Sequence, residues 1–275
     1  MPLVSVIIPT YNRPVFLRRA VRSVLKQTFS DLEIIVINDG GDDPRILVPE
    51  LENKKVKFIN LDTNRERSVA RNIGIDRSSG KYIAYLDDDD MFYPNHISIL
   101  TRTLNENRSF KIVYSDAYRA YQVITSHGVK TILKDVPYSV DFSDADLFVQ
   151  NYIPILCVMH DIEVVEKVGK FDESLSVHED WDLWIRMAMY YKFIHLKKIT
   201  CEFSWRTDGS STTSKKPHEF VRTRRLIWNR YRTNILRKLE EMVKTRDRRV
   251  INYASTLLHI FPEDAVLIRY IASSI

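Results

Sequence analysis

Four consecutive carboxylates, Asp87 to Asp90, close the short apolar run Tyr82-Ile83-Ala84-Tyr85-Leu86. The run is too short for a helix, rich in aromatic and branched residues, and preceded by the turn signal Ser78-Ser79-Gly80. It predicts a buried strand with the acids at its C-terminal end. In an open α/β sheet that edge is where ligands bind. Adjacent carboxylates repel one another, and a hard divalent cation, magnesium or manganese, relieves the repulsion while offering a grip on a diphosphate. A solvated acidic turn is the commoner fate of acidic runs, and on spacing alone both readings stay open. A calcium loop of the helix-loop-helix type is disfavoured: if Asp88 opened it, Tyr93 would stand where the turn glycine belongs.

Other polar clusters also fall at element ends. Thr10-Tyr11-Asn12-Arg13 follows the branched run Val4 to Pro9, and Asn38-Asp39-Gly40-Gly41-Asp42-Asp43 follows Glu33 to Asn38. Glu179-Asp180-Trp181-Asp182 stands just before a helical pattern running to about Tyr190. There the helix dipole favours an ionised carboxylate, so these acids serve either as helix caps or as reactive groups. Asp208, in the polar loop Arg206-Thr207-Asp208-Gly209, reads as a turn residue before glycine.

These residues need a frame. Pro14 opens a helix whose apolar residues are Val15, Leu17, Ala20, Val21, Val24 and Leu25. Val56 to Asn60 predicts a third strand and Ser68 to Arg77 a second helix. The resulting alternation implies an α/β fold with right-handed crossovers and a mainly parallel sheet. Beyond the acids, Pro94 to Asn105 reads as helix and Lys111 to Tyr114 as strand. Tyr118 to Ile124 and Val129 to Leu133 read as a hairpin. Phe142 to Val149 and Ile162 to Val168 read as short helices and Phe193 to Trp205 as strand; helices follow from Pro217. The middle region is expected to supply the second half of the site.

With 275 residues, 44% of them hydrophobic and 28% charged, the chain has an ordinary globular composition. It has no apolar run of membrane-spanning length and no leader-like start, so a cytoplasmic protein is expected. Cys157 and Cys201 lie in apolar surroundings without metal-ligand spacing and read as core thiols. The net charge of +5 conceals an asymmetry: Lys215 to Arg249 carries thirteen cations against four acids, a net +9. That shift places a boundary near Ser214, dividing the chain into 1–214 and a basic helical extension, 215–275. The extension calls for a polyanionic partner, either a membrane surface or nucleic acid. Without a nucleic-acid motif, two expectations stay open: peripheral contact with the inner face of a membrane, or an ordinary helical cap packed on the domain with its arginines solvated.

Six segments, taken together and in order, strongly resemble the family 2 glycosyltransferases, inverting enzymes of the GT-A fold. They are Val4-Ser5-Val6-Ile7-Ile8-Pro9-Thr10-Tyr11-Asn12-Arg13, Val36-Ile37-Asn38-Asp39-Gly40, Ala70-Arg71-Asn72-Ile73-Gly74-Ile75, Gly80 to Asp90, Val168-Gly169-Lys170-Phe171-Asp172-Glu173 and Glu179-Asp180-Trp181-Asp182-Leu183-Trp184. The resemblance covers about the first 214 residues and implies a nucleotide-sugar donor, UDP being the commonest nucleotide, with a glycan or lipid-linked acceptor. It implies that Thr10 and Tyr11 line the nucleobase pocket and that Asp39 bonds the base or ribose. Asp87 and Asp89 would form the family's Asp-x-Asp motif, Asp89 binding the metal, with Asp88 sharing the role because four acids leave the register open. Arg71 and Arg67 would neutralise phosphate, and Asp180 would be the catalytic base. Asp208 stands where many relatives carry a metal-reaching histidine. Glycine-rich phosphate loops of nucleotidyltransferases, dinucleotide-dependent oxidoreductases and P-loop enzymes are missing. A binding protein that has lost catalysis on the same fold is the alternative.

Overall fold

A computed structural model describes residues 1–125, 128–207 and 217–260, with Val266, Ile268 and Arg269. Branched residues dominate β1 (Val4–Thr10) and β2 (Leu32–Asn38), and every residue of both strands is buried. Such continuous runs suit strands covered on both faces. They pair in parallel with each other, β1 with β4 (Tyr82–Tyr85), and β2 with β3 (Val56–Asn60). The crossovers run through α1 (Pro14–Leu25) and α2 (Glu66–Asp76). Pro14 at the first position of α1 matches the fixed φ of proline to a helix start.

The sheet then becomes mixed. Its order is β3-β2-β1-β4-β8-β6-β9-β5, with β7 paired to β6 outside that path. Here β5 is Met91–Phe92, β6 Ile112–Thr125, β7 Gly128–Asp135, β8 Val158–Asp161 and β9 Phe193–Trp205. The antiparallel β8 lies between β4 and β6. Lys111 to Tyr114 and Tyr118 to Ile124, read separately from sequence, belong to one strand, because register shifts on either side of Asp116 absorb the polar interruption. Parallel pairing with β9 thus continues from Ile112 to Tyr121.

Helices α3 (His96–Glu106), α4 (Asp144–Val149), α5 (Ile162–Val168) and α6 (Glu179–Ala188) flank the sheet. The C-terminal region supplies α7 (Pro217–Lys244) and α8 (Arg249–Ile260). Thr223, Ile227, Trp228, Tyr231, Ile235, Leu239 and Met242 form the buried stripe of α7. Its apolar members join the same hydrophobic core as β1 and β2. Cys157 and Cys201 are buried and free, Sγ to Sγ 3.7 Å, as expected of core thiols.

Candidate active site

The C-terminal ends of β1, β2 and β4 open into one cleft of about 670 Å³, lined by Thr10, Tyr11, Arg13, Asp39, Arg67 and Asp87 to Asp90. From the other side come Tyr138, Asn151, Asp180 and Trp205. Gly40 holds the β2 loop in place. Its φ is +74°, and a Cβ there would lie 2.2 Å from the Thr63 carbonyl carbon, so this close approach requires glycine. The approach lets Asp39 Oδ1 accept the Arg65 backbone N–H at 2.8 Å. Burial pushes the Asp39 carboxyl above its ordinary range, against the pull of such backbone bonds.

The four acids alternate. Asp88 and Asp90 are buried, whereas Asp87 and Asp89 are partly exposed. Asp88 accepts from Thr10 Oγ1 at 2.8 Å, and Asp90 accepts from the Ser204 N–H at 2.9 Å. Burial pushes Asp88 up to about 7, and Asp90 rises for the same reason, with Asp89 adding repulsion. Asp89 Oδ2 meets Arg13 Nη1 at 3.0 Å and also Arg206. Arg13 Nη2 lies 2.9 Å from Asp88 Oδ1, although that buried oxygen receives no well-aligned hydrogen bond. Burial would raise Asp87 too, but Arg71, supported by Arg67 and Arg13, outweighs it and holds the carboxyl low.

Arg71 differs from the expectation of an arginine meeting phosphate. It is almost wholly buried, with Nη2 2.5 Å from Asp87 Oδ1 and Nη1 2.6 Å from Glu179 Oε1. Its guanidinium also lies over Phe171. Those contacts make it a brace between the acid cluster and the start of α6. Arg67 lines the cleft, 3.7 Å from Glu179. Arg13, to which sequence reasoning assigned no role, is the cation that reaches Asp88 and Asp89; a loop arginine has no signature until its partners, far away in sequence, are in place.

Asp180 occupies the first turn of α6 and lines the cleft. Its Oδ1 accepts the Trp181 N–H at 2.8 Å. Burial, then repulsion from Glu179, pushes its carboxyl up to about 6 despite Arg71 and a hydrogen bond from Asn151. Glu179 is committed to Arg71, and Asp182 is fully buried, so neither shares this outlook on the cleft. Tyr11 is 45% exposed at the mouth, and Thr10 is buried behind it. Asp208 lies outside the described residues.

Acids, arginines and the separate Asp180 carboxylate thus line one cleft of this α/β sheet. Residues 5–133 match the Glycosyl transferase family 2 profile. The chain is 34% identical over 202 residues to an uncharacterized glycosyltransferase of Rickettsia prowazekii, covering 72% of this chain and 60% of that protein. It is 32% identical to the uncharacterized glycosyltransferase YwdF of Bacillus subtilis, covering 72% and 71% of the two chains. The fold is similar to that of S. aureus TarS 1–349, with a TM-score of 0.65 at 16% identity over 100% of this chain and 88% of that one. TarS has also been solved with UDP and with UDP-GlcNAc. The chain belongs to the family 2 glycosyltransferases, and it spans about 60% of the length of the Rickettsia relative.

Proposed function

We propose that this protein moves a sugar from a nucleotide sugar, a UDP-sugar in the first instance, to a hydroxyl of a glycan or lipid-linked acceptor, with inversion at the anomeric carbon. The observation that carries the reading is Asp180, a carboxylate raised to about 6 that lines the same cleft as the aspartate cluster. A single displacement needs a base on the acceptor side, away from the departing diphosphate. Asp87 and Asp89 are tied to arginines, whereas Asp180, among the described residues, accepts hydrogen bonds from the Trp181 N–H of its own helix and from Asn151. A base poised near the working pH takes up the acceptor's proton efficiently as its oxygen attacks. UDP is favoured because the fold neighbour TarS has been solved with UDP and UDP-GlcNAc. Thr10 and Tyr11 would border the base, Asp39 the base or ribose, and Arg13 and Arg67 the diphosphate.

The donor set fits a divalent cation. Asp89 offers a partly exposed hard oxygen, and the buried Asp88 Oδ1, 2.9 Å from Arg13 Nη2, receives no well-aligned hydrogen bond. Among the described residues no three acids, histidines or cysteines gather at ligand spacing. Mg2+ or Mn2+ at Asp89 would therefore take its other oxygens from the diphosphate and water, a common arrangement for magnesium. When bound, the cation supplies charge stabilisation to the leaving diphosphate. Asp208 is proposed as a further oxygen ligand; an Asp208→Asn variant with an unaltered Mn2+ titration would remove it from the site.

The outward face of α7 is proposed to rest on an anionic membrane surface, since Arg222, Arg225, Arg232, Arg237 and Lys244 are all exposed there. Cations near such a surface contribute about 1 kcal/mol each. No helix among the described residues is long and apolar enough to cross a membrane.

Thermal shift and UDP release test the donor reading together. UDP-GlcNAc and other nucleotide sugars, with and without Mn2+, should raise the melting temperature, and at least one should yield free nucleoside diphosphate. No shift with any nucleotide sugar in either condition would overturn it.

A further inference from the structure

The residues that bracket Asp180 are held by a helix far along the chain. His178, just before α6, is left-handed with φ 61°, a conformation that costs a non-glycine residue about 1–2 kcal/mol and persists only where its surroundings impose it. Its Nδ1 lies 2.9 Å from Thr223 Oγ1 of α7. The Thr223 hydroxyl already donates to the Glu219 carbonyl at 2.7 Å, so the imidazole Nδ1–H donates to the hydroxyl oxygen. Burial pushes this imidazole down to about 4, which keeps it neutral. The His178 ring also packs edge-on against Trp181 and against Phe220 of α7. Two residues earlier, Ser176 Oγ donates to Glu219 Oε2 at 2.7 Å.

On the other side of Asp180, Asp182 is fully buried, and α7 supplies two of the groups that hold it. Arg230 Nη1 donates to Asp182 Oδ1 at 2.6 Å, and Tyr231 Oη donates to the same oxygen at 2.8 Å. Arg186, one turn along α6, binds Oδ2 at 2.9 Å. The second amino group of Arg230 reaches Asp172 Oδ2 at 2.7 Å, at the beginning of the irregular segment that leads to His178. Successive turns of α7 therefore hold the 172–182 stretch at Asp172, Ser176, His178 and Asp182. Asp180 is left as the carboxylate in that stretch that faces the cleft.

We infer that α7 clamps the general base: Thr223, Arg230 and Tyr231 are positioning residues that fix the direction of the Asp180 carboxylate by gripping the flanking His178 and Asp182. This rests on the reading of Asp180 as base. It makes the helical C-terminal region part of the catalytic unit, although none of the three residues touches the cleft.

The test uses the full chain with Tyr231→Phe and Arg230→Lys, and Thr223→Val as a milder variant should either fail to fold. Three measurements accompany each: UDP release from UDP-GlcNAc with Mn2+, UDP affinity by calorimetry, and amide exchange of residues 176–182 by mass spectrometry. A misplacement of order 1 Å costs up to about a hundredfold, so turnover should fall about tenfold to a hundredfold while UDP affinity stays within about twofold. Exchange should quicken in 176–182 and remain unchanged in β1 and β2. Parent turnover and parent exchange in the folded variants would overturn the clamp; a structural role alone would lower the melting temperature and leave turnover of the folded protein intact. Asp180→Asn is measured in parallel. If that variant releases UDP at the parent rate, the base assignment fails, and the exchange result still decides whether α7 holds the segment.

Discussion

Asp180 and Asp89 face one cleft under different electrostatic regimes, and each therefore answers to a different experiment. Asp180 is raised to about 6 chiefly by burial, so its ionised form is the minority below that pH. A base must be ionised to accept a proton. Turnover should therefore fall about tenfold per pH unit below about 6 and level off above it. A profile of kcat for UDP release that stays flat from about pH 5 to pH 8 would contradict a base of this pKa. Asp89 is held by Arg13 and Arg206 and should serve the donor instead. Calorimetry on Asp89→Asn is expected to show UDP binding that no longer strengthens with Mn2+; an undiminished response to the metal would remove Asp89 from the cation site.

At the level of elements, Arg71 links the end of β4 to the start of α6 through Asp87 and Glu179. It is buried with Glu179, while Asp87 is partly exposed, so Arg71→Met would remove the nearest cation from both carboxylates, one of them buried. Breaking a buried pair by removing one partner costs about 3–5 kcal/mol. Urea unfolding of Arg71→Met should show a loss of that order, and a loss below about 1 kcal/mol would mean that the brace carries no stability. The sequence made the strand-loop-helix units of the first half legible, because branched runs such as Val4 to Pro9 end in polar loops that have no other place to go. It also placed Asp39, Asp87 to Asp89 and Asp180 at the element ends from which they line the cleft. β8 was not legible: Val158-Met159-His160-Asp161 is short, lacks alternation, and becomes a strand only because β4 and β6 both offer it backbone partners. Arg13 and Arg71 showed the same limit for side chains. Their partners are set by tertiary contact, and residue type alone does not distinguish a phosphate ligand from a buried brace.

At the scale of the whole molecule, the basic extension has a buried inner face and an exposed, cationic outer face. Its inner face contributes Ile227, Trp228, Tyr231, Ile235, Leu239 and Met242 to the common core. At about 1.5–3 kcal/mol for each large buried side chain, that contribution is on the order of 10 kcal/mol. Total stabilities are about 5–15 kcal/mol, so a chain ending at residue 214 should not give a cooperative thermal transition. A truncated chain melting near the parent temperature would show that the body folds alone. The outer face should bring the protein down with anionic vesicles in low salt, and less so as salt rises; equal recovery with neutral and anionic vesicles would dismiss the membrane contact. The most direct measurement compares the full chain with Asp180→Asn, following UDP release from UDP-GlcNAc in Mn2+ and UDP affinity on the same samples. Turnover should drop by about a hundredfold to ten-thousandfold with UDP affinity nearly unchanged. Release at the parent rate, or loss of UDP affinity in step with turnover, would contradict Asp180 as the base.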